Sequence, residues 1–199
     1  MMANSLRNVN VSKNRVIAVN IAREGIEAVR NIRDTNWLKF SGNRRICWNS
    51  LPDEDINEPC DGTDLIDYEA DGYIVYKASD HRWRLQDVTA ADETALSTVD
   101  IDLTVNTDGD NDPNGDENDS DMYNHTDPAD ALGRDYAQNT NFYRVITIEY
   151  LDEDGNYTNN PYDNRIEVSS TVTWIKGSAE HSVELKTHLT DYLGRDNLD

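Results

Sequence analysis

Residues 10–38, NVSKNRVIAVNIAREGIEAVRNIRDTNWL, decide the fold. Ala18, Ile21, Ala22, Gly25, Val29 and Ile32 recur in this stretch at steps of three and four, which sets them along one stripe of an α-helix. Arg23, Glu27, Arg30 and Arg33 fall on or beside the other face. Glu27 with Arg30, and Arg30 with Asp34, are spaced to meet on the helix surface. Ala22, Gly25 and Ala28 are small, so a neighbouring surface can approach this helix closely. The spacing predicts one amphipathic helix over roughly Asn10 to Leu38.

Downstream the period changes from 3.6 to 2. Arg44-Arg45-Ile46-Cys47-Trp48 reads as a short strand after the breaker Ser41-Gly42-Asn43, and Leu51 to Thr63 reads as loop. Tyr73 to Lys77 and Trp83 to Leu85 read as two strands joined through Ser79-Asp80-His81. Ile101 to Val105 alternates apolar with polar, as a half-buried strand does. Phe142 to Tyr150 is the clearest strand, and Asp152-Glu153-Asp154-Gly155-Asn156 is a turn. Ile166 to Ile175 and Ser182 to Leu189 complete an antiparallel meander. A helix with one apolar stripe, followed by strands with one apolar face, is an α+β layout: a long N-terminal amphipathic helix packed on an antiparallel sheet.

The charge balance excludes several classes of function. The 199 residues carry 39 acids against 18 Lys and Arg, a formal charge of −21. Phosphate affinity depends on Lys and Arg, so no nucleic-acid partner is expected. There is no run of 18 apolar residues and no apolar secretory core at the start. The charge is also segregated: residues 1–50 have a net +6 and residues 51–199 a net −27. From Leu85 to Gly133 there are 14 acids and no Lys or Arg. No nucleophile elbow, glycine-rich phosphate loop or His-Glu metalloprotease pattern is present, so the expectation is a structural protein and not an enzyme.

Two blocks carry a family resemblance. Ala22-Arg23-Glu24-Gly25-Ile26-Glu27-Ala28-Val29-Arg30-Asn31-Ile32-Arg33-Asp34-Thr35-Asn36-Trp37-Leu38 resembles the post-membrane helix of type IV pilin-like proteins, the minor pilins and pseudopilins of the pilus-modification kind. Val168-Ser169-Ser170-Thr171-Val172-Thr173-Trp174, followed by His181-Ser182-Val183-Glu184-Leu185, resembles the final hairpin of the same group. Together they cover about a fifth of the chain. The resemblance implies a pilin-like helix over residues 1–40 and a β-rich head over 41–199 with an acidic insertion at about 106–130. It implies an extracellular or cell-surface filament subunit, with copies of itself or other pilins as partners. Ala18, Ile21, Ala22, Gly25, Val29 and Ile32 are then expected to serve subunit packing. Family members begin with a basic leader, a processing site and about 20 apolar residues. This chain is expected to start partway down that helix, its full-length precursor meeting the inner-membrane assembly machinery.

Asp110-Asn111-Asp112-Pro113-Asn114-Gly115-Asp116-Glu117-Asn118-Asp119-Ser120-Asp121 has oxygen ligands at loop positions 1, 3 and 5, Gly at 6 and a carboxylate at 12, the spacing of a calcium loop. Asp110, Asp112, Asn114 and Asp121 would offer side chains, Asp116 its backbone carbonyl, and Asn118 a direct or water-mediated contact. Position 12 is Asp where Glu is usual, and position 8 is Glu117, so such a loop would stand without paired helices. The other reading is an acidic insertion that repels itself. Asp152, Asp154, Asn156, Asp163 and Asn164 form a poorer cluster, in which Asp-Gly is first a hairpin turn. Cys47 and Cys60 are the only cysteines. They can form one bridge around 12 residues or stay reduced, and the location implied by the resemblance favours the bridge. The four tryptophans read as core, whereas Tyr68, Tyr73, Tyr76, Tyr123, Tyr136 and Tyr157 are available for adhesion. The alternative to a filament subunit is a secreted monomeric calcium-dependent binding module.

Overall fold

The computed structural model describes residues 2–40, 42–51, 60, 66–67, 70, 72–77, 82–87, 102–106, 123–124, 137–176 and 178–191. Helix α1 (Met2–Lys39) is followed by the single turn α2 (Arg44–Cys47). Among the described residues eight strands come next: β1 (Tyr73–Lys77), β2 (Trp83–Asp87), β3 (Asp102–Asn106), β4 (Tyr123–Asn124), β5 (Ala137–Leu151), β6 (Tyr157–Thr158), β7 (Arg165–Lys176) and β8 (Ala179–Thr190). Every strand pair is antiparallel. The α+β layout read from the two periods is therefore the observed one.

β5 organises the sheet. Along one edge it pairs with β7, from Phe142↔Trp174 to Tyr150↔Ile166, and β7 pairs in turn with β8 from Arg165↔Thr190 to Lys176↔Ala179. Its other edge takes three short partners end to end: β3 at the start, β1 at Ile146 and β6 at Tyr150 and Leu151. The expected meander is thus β5–β7–β8, with one refinement. The Asp152–Asn156 turn first folds back into β6, and only then does the chain cross to β7. Gly155 takes φ +86°, a left-handed value that the Asp-Gly turn requires.

Arg44 to Trp48 is not the short strand the sequence suggests. The Cys47 and Trp48 N–H groups donate to the Asn43 and Arg44 carbonyls at 3.2 and 3.0 Å, closing a helical turn. Five residues are too few to separate a period of 2 from 3.6, and here tertiary burial of Cys47 and Trp48 decides.

The core lies between α1 and one face of the sheet. Phe142, Ile146, Ile148 and Tyr150 on β5 alternate with outward residues, as do Ile166, Val168, Val172 and Trp174 on β7. One cluster joins Ala28, Val29, Ile32 and Trp37 of α1 to Trp48, Tyr73, Val75, Ile146, Ile148, Tyr150, Ile166, Val168 and Leu189. A second joins Ala18, Ile21 and Ala22 to Phe142, Val172 and Trp174, with Ile17, Val183 and Leu185 packed against it. Three of the four tryptophans are buried and Trp83 is half-buried, as expected. Tyr73 is buried core, so it drops out of the expected adhesive set.

Candidate functional site

The seam between α1 and the sheet is built from small residues. Ala18, Ile21, Ala22, Val29 and Ile32 are between 0 and 4% exposed, all against the chain's own sheet. Gly25 sits tightest: a Cβ there would stand 2.7 Å from Ile146 Cδ1, 2.8 Å from Ser170 Oγ and 3.1 Å from Arg144 Cδ. The six residues expected to serve subunit packing are thus taken up inside the chain, because the sheet offers them an apolar face within reach. The helix surface left for another molecule is the opposite one, where Asn20, Arg23, Glu27, Asn31 and Thr35 are exposed. Glu27 and Arg30 do form the ion pair their spacing predicts, whereas Asp34 is held by Arg33 at 2.9 Å.

Under Gly25 lies a charge that sequence reasoning missed. Arg144 is fully buried, and its guanidinium donates to the Ile21 carbonyl at 3.2 Å, to Glu24 Oε2 at 3.1 Å and to the Val75 carbonyl at 3.1 Å. Burial pulls its pKa below the ordinary arginine value, and Glu24 pulls the other way. The signal was present in the parity: Arg144 occupies the same inward register as Phe142, Ile146 and Ile148. A buried guanidinium ties helix, central strand and β1 to one register, since moving any of them leaves a buried donor unpaired.

The C-terminal end of α1 is clamped by amides. Asn36 Nδ2 donates to the Ser50 carbonyl at 2.8 Å, and Asn49 Nδ2 donates to Tyr150 Oη at 2.8 Å and the Pro161 carbonyl at 2.9 Å. Tyr150 donates onward to the Ile66 carbonyl at 2.8 Å, and burial pushes its pKa upward. Cys47 and Cys60 form a disulfide with their Cα atoms 5.8 Å apart, stapling α2 to the following segment. Beside this clamp is a polar cleft of about 330 Å³ lined by Arg45, Trp48, Glu153, Tyr162, Asn164 and Asp191, among others. It carries four charged side chains, Arg45, Glu153, Asp163 and Asp191, and no arrangement of nucleophile and base.

Asp110, Asp112, Asn114, Asp116, Asn118 and Asp121 lie outside the described residues. Among the described residues no group of three acidic, His or Cys side chains is placed to hold a metal. In the poorer cluster the Asp152 carboxylate is spent on the turn itself: it accepts the Asn156 N–H at 2.8 Å and Asn156 Nδ2 at 3.1 Å. Those bonds lower its pKa. Asp163 accepts from Asn160 Nδ2 at 3.0 Å. Of the remaining tyrosines, Tyr157 is 62% exposed and donates to Glu167; Tyr68, Tyr76, Tyr123 and Tyr136 side chains lie outside the described set.

On the sheet face away from α1, Glu167 accepts from Lys186 Nζ at 2.8 Å, Tyr157 Oη at 3.1 Å and contacts His188 Nε2 at 3.1 Å. The Lys186 bond is the main reason its pKa falls below the ordinary carboxylate value. Among the described residues no helix is long and apolar enough to cross a membrane. Comparison of the chain with protein-family models, curated proteins and solved structures finds no match.

Proposed function

We propose that this chain is a structural subunit of an extracellular type IV pilus-like filament or pseudopilus, acting in assembly and adhesion, with calcium stabilising its acidic loop. The observation that carries the reading is the packing of its two family-like blocks. The 22–38 helix and the 168–185 hairpin are more than 120 residues apart in sequence. Yet Ala22 shares one apolar cluster with Val172 and Trp174, against which Val183 and Leu185 pack. The helix is 38 residues long, about 57 Å at 1.5 Å per residue. Among the helix residues whose side chains are described, 11–16 are exposed or half-exposed and the first buried one is Ala18. A long helix docked on an antiparallel sheet through residues 18–37, with residues 12, 13, 15 and 16 exposed ahead of that contact, presents surface for the non-closing contact a filament subunit needs.

Two experiments test this. Antibody to the chain, used on the sheared surface fraction of producing cells, should decorate filaments in electron micrographs. Recovery only as free monomer in the medium would overturn the filament reading in favour of a secreted module. For calcium, thermal unfolding is compared in excess calcium, excess magnesium and excess chelator. A ligand bound only by the native state adds about 2.7 kcal/mol at a hundred times its dissociation constant. The expected result is a calcium-specific rise in Tm that is lost in Asp110→Ala with Asp112→Ala. An unchanged Tm would remove calcium from the proposal.

A further inference from the structure

We infer that the free edge of β8 pairs with β8 of a second copy of this chain, antiparallel and centred on Leu185, so that the two sheets become one. β8 is 12 residues long, pairs with β7 at every residue without a bulge, and contains no proline. Among the described residues no strand pairs with its other edge. Natural sheets blunt such an edge with a bulge, a proline, a short strand or charged side chains; this one has only the last, Glu180, Glu184 and Lys186, and these complement a second copy.

What selects a second copy is the order of side chains along the edge. Glu180, Ser182, Glu184, Lys186 and His188 are all exposed on the face away from α1. Val183 and Leu185 are half-buried on the α1 face. With Leu185 opposite its own symmetry mate, Glu184 of each copy faces Lys186 of the other, and Ser182 faces His188. Val183 then meets Thr187, and Leu185 meets Leu185, on the apolar face. A slip of one pairing step in either direction sets Glu184 against Glu184 or Lys186 against Lys186, and like charges directly opposite are destabilising. The Leu185-centred register gives two Glu184–Lys186 pairs and sets Leu185 against Leu185, whereas the Val183-centred register gives two Glu180–Lys186 pairs but sets Leu185 against His181; a two-fold contact needs such self-complementarity, and the Glu184 variants below separate the two. Glu184 is exposed, and its ion pair with Lys186 of its own chain is a loose one at 4.0 Å.

The test is a charge swap read by sedimentation equilibrium near 0.15 M salt, with circular dichroism confirming the fold of each variant. The wild-type chain should show a concentration-dependent dimer. Glu184→Lys and Lys186→Glu should each weaken it by about tenfold, since each turns both cross-copy pairs into like charges. The double variant Glu184→Lys with Lys186→Glu should restore the dimer, and an equimolar mixture of the two single variants should give a heterodimer. Leu185→Cys should cross-link under mild oxidation, because directly opposed residues lie within disulfide reach. A wild-type chain that stays monomeric at every concentration overturns the inference, as does a double variant no better than the single ones. The filament reading stands or falls separately, on where the chain is found.

Discussion

Replacing Gly25 by alanine sets two effects of known size against each other at the helix–sheet seam. Removing a glycine from mid-helix gains about 1 kcal/mol of intrinsic helix stability. Against this, the new methyl must enter space already taken, with Ile146 Cδ1 at 2.7 Å, Ser170 Oγ at 2.8 Å and Arg144 Cδ at 3.1 Å. Overpacking a filled site costs about 1–3 kcal/mol. Ser170 Oγ makes no hydrogen bond and can turn away, but Ile146 is fully buried and has nowhere to go. The expected net is a loss of about 1 kcal/mol, the packing cost outweighing the propensity gain. Ile146→Val isolates the cause, because it removes the obstructing Cδ1. Alone it should cost about 1 kcal/mol, as buried Ile→Val changes do. In the Gly25→Ala background it should cost nothing or stabilise, a coupling of about 1 kcal/mol between the two sites. Urea unfolding of the four proteins with a shared m-value measures this directly. If Gly25→Ala raises stability by its full propensity gain, and the two changes add, the close approach is not what limits this position.

The buried ion pair gives an asymmetric expectation: Glu24→Gln leaves Arg144 charged and half-compensated and should cost about 1–3 kcal/mol, while Arg144→Met with Glu24→Gln should cost less than the sum of the two single changes. Urea midpoints of the three variants decide it, and simple additivity would count against the pair as a unit. Glu167 should stabilise the chain in a pH-dependent way. Its folded pKa lies below the ordinary 4.5, so its contribution is complete above that pH and is lost as the pH falls through the folded value. The Tm difference between wild type and Glu167→Gln should therefore shrink as pH drops from about 6 to about 3, and a constant difference would contradict it. Reducing Cys47–Cys60 should cost about 3 kcal/mol, the entropy of a closed loop of this size, measured as a lower urea midpoint matched by Cys47→Ser with Cys60→Ser.

The helix and the meander were legible because each repeats its period many times. Six apolar or small residues fix one stripe of α1, and apolar residues alternate along β5 from Phe142 to Tyr150 and recur in step on β7 and β8. Arg44–Trp48 was misread because two arginines ahead of three apolar residues fit a strand and a helical turn equally well. The partners β4 and β6, two residues each, have no period to read. What fixes β6 is the Asp152 carboxylate capping its turn, a local bond that the Asp-Gly signature announces without saying where the chain goes next. Arg144 escaped for a different reason: a charge in an apolar register is ordinarily taken as solvent-facing. Its burial depends on Glu24 and the Ile21 carbonyl, both 120 or more residues away. The destination of the stripe was likewise undecidable from spacing, since a second copy and the chain's own sheet offer the same kind of apolar surface.

That destination constrains any filament this chain forms. With Ala18, Ala22, Gly25 and Val29 spent internally, contacts between copies fall on exposed polar helix surface, where Lys13, Arg15 and Arg23 stand clear, and on an acidic head. Two electrostatic effects then compete. A basic helix attracts a neighbour's head, and salt weakens that attraction; heads repel one another, and salt weakens that repulsion, both over a Debye length of about 8–10 Å. The charge inventory decides between them. The first 50 residues hold a net +6 against −27 in the rest, so even complete pairing of helix with head leaves each subunit at −21. Repulsion between heads therefore outweighs the attraction. Assembly should strengthen as sodium chloride is raised, the reverse of what helix–head attraction alone would give. It should strengthen at far lower concentrations of calcium, which neutralises two charges at once. Pelleting of assembled material across a salt series measures this. A sedimentable fraction that falls steadily with salt would mean that the basic helix, and not the acidic head, governs the contact.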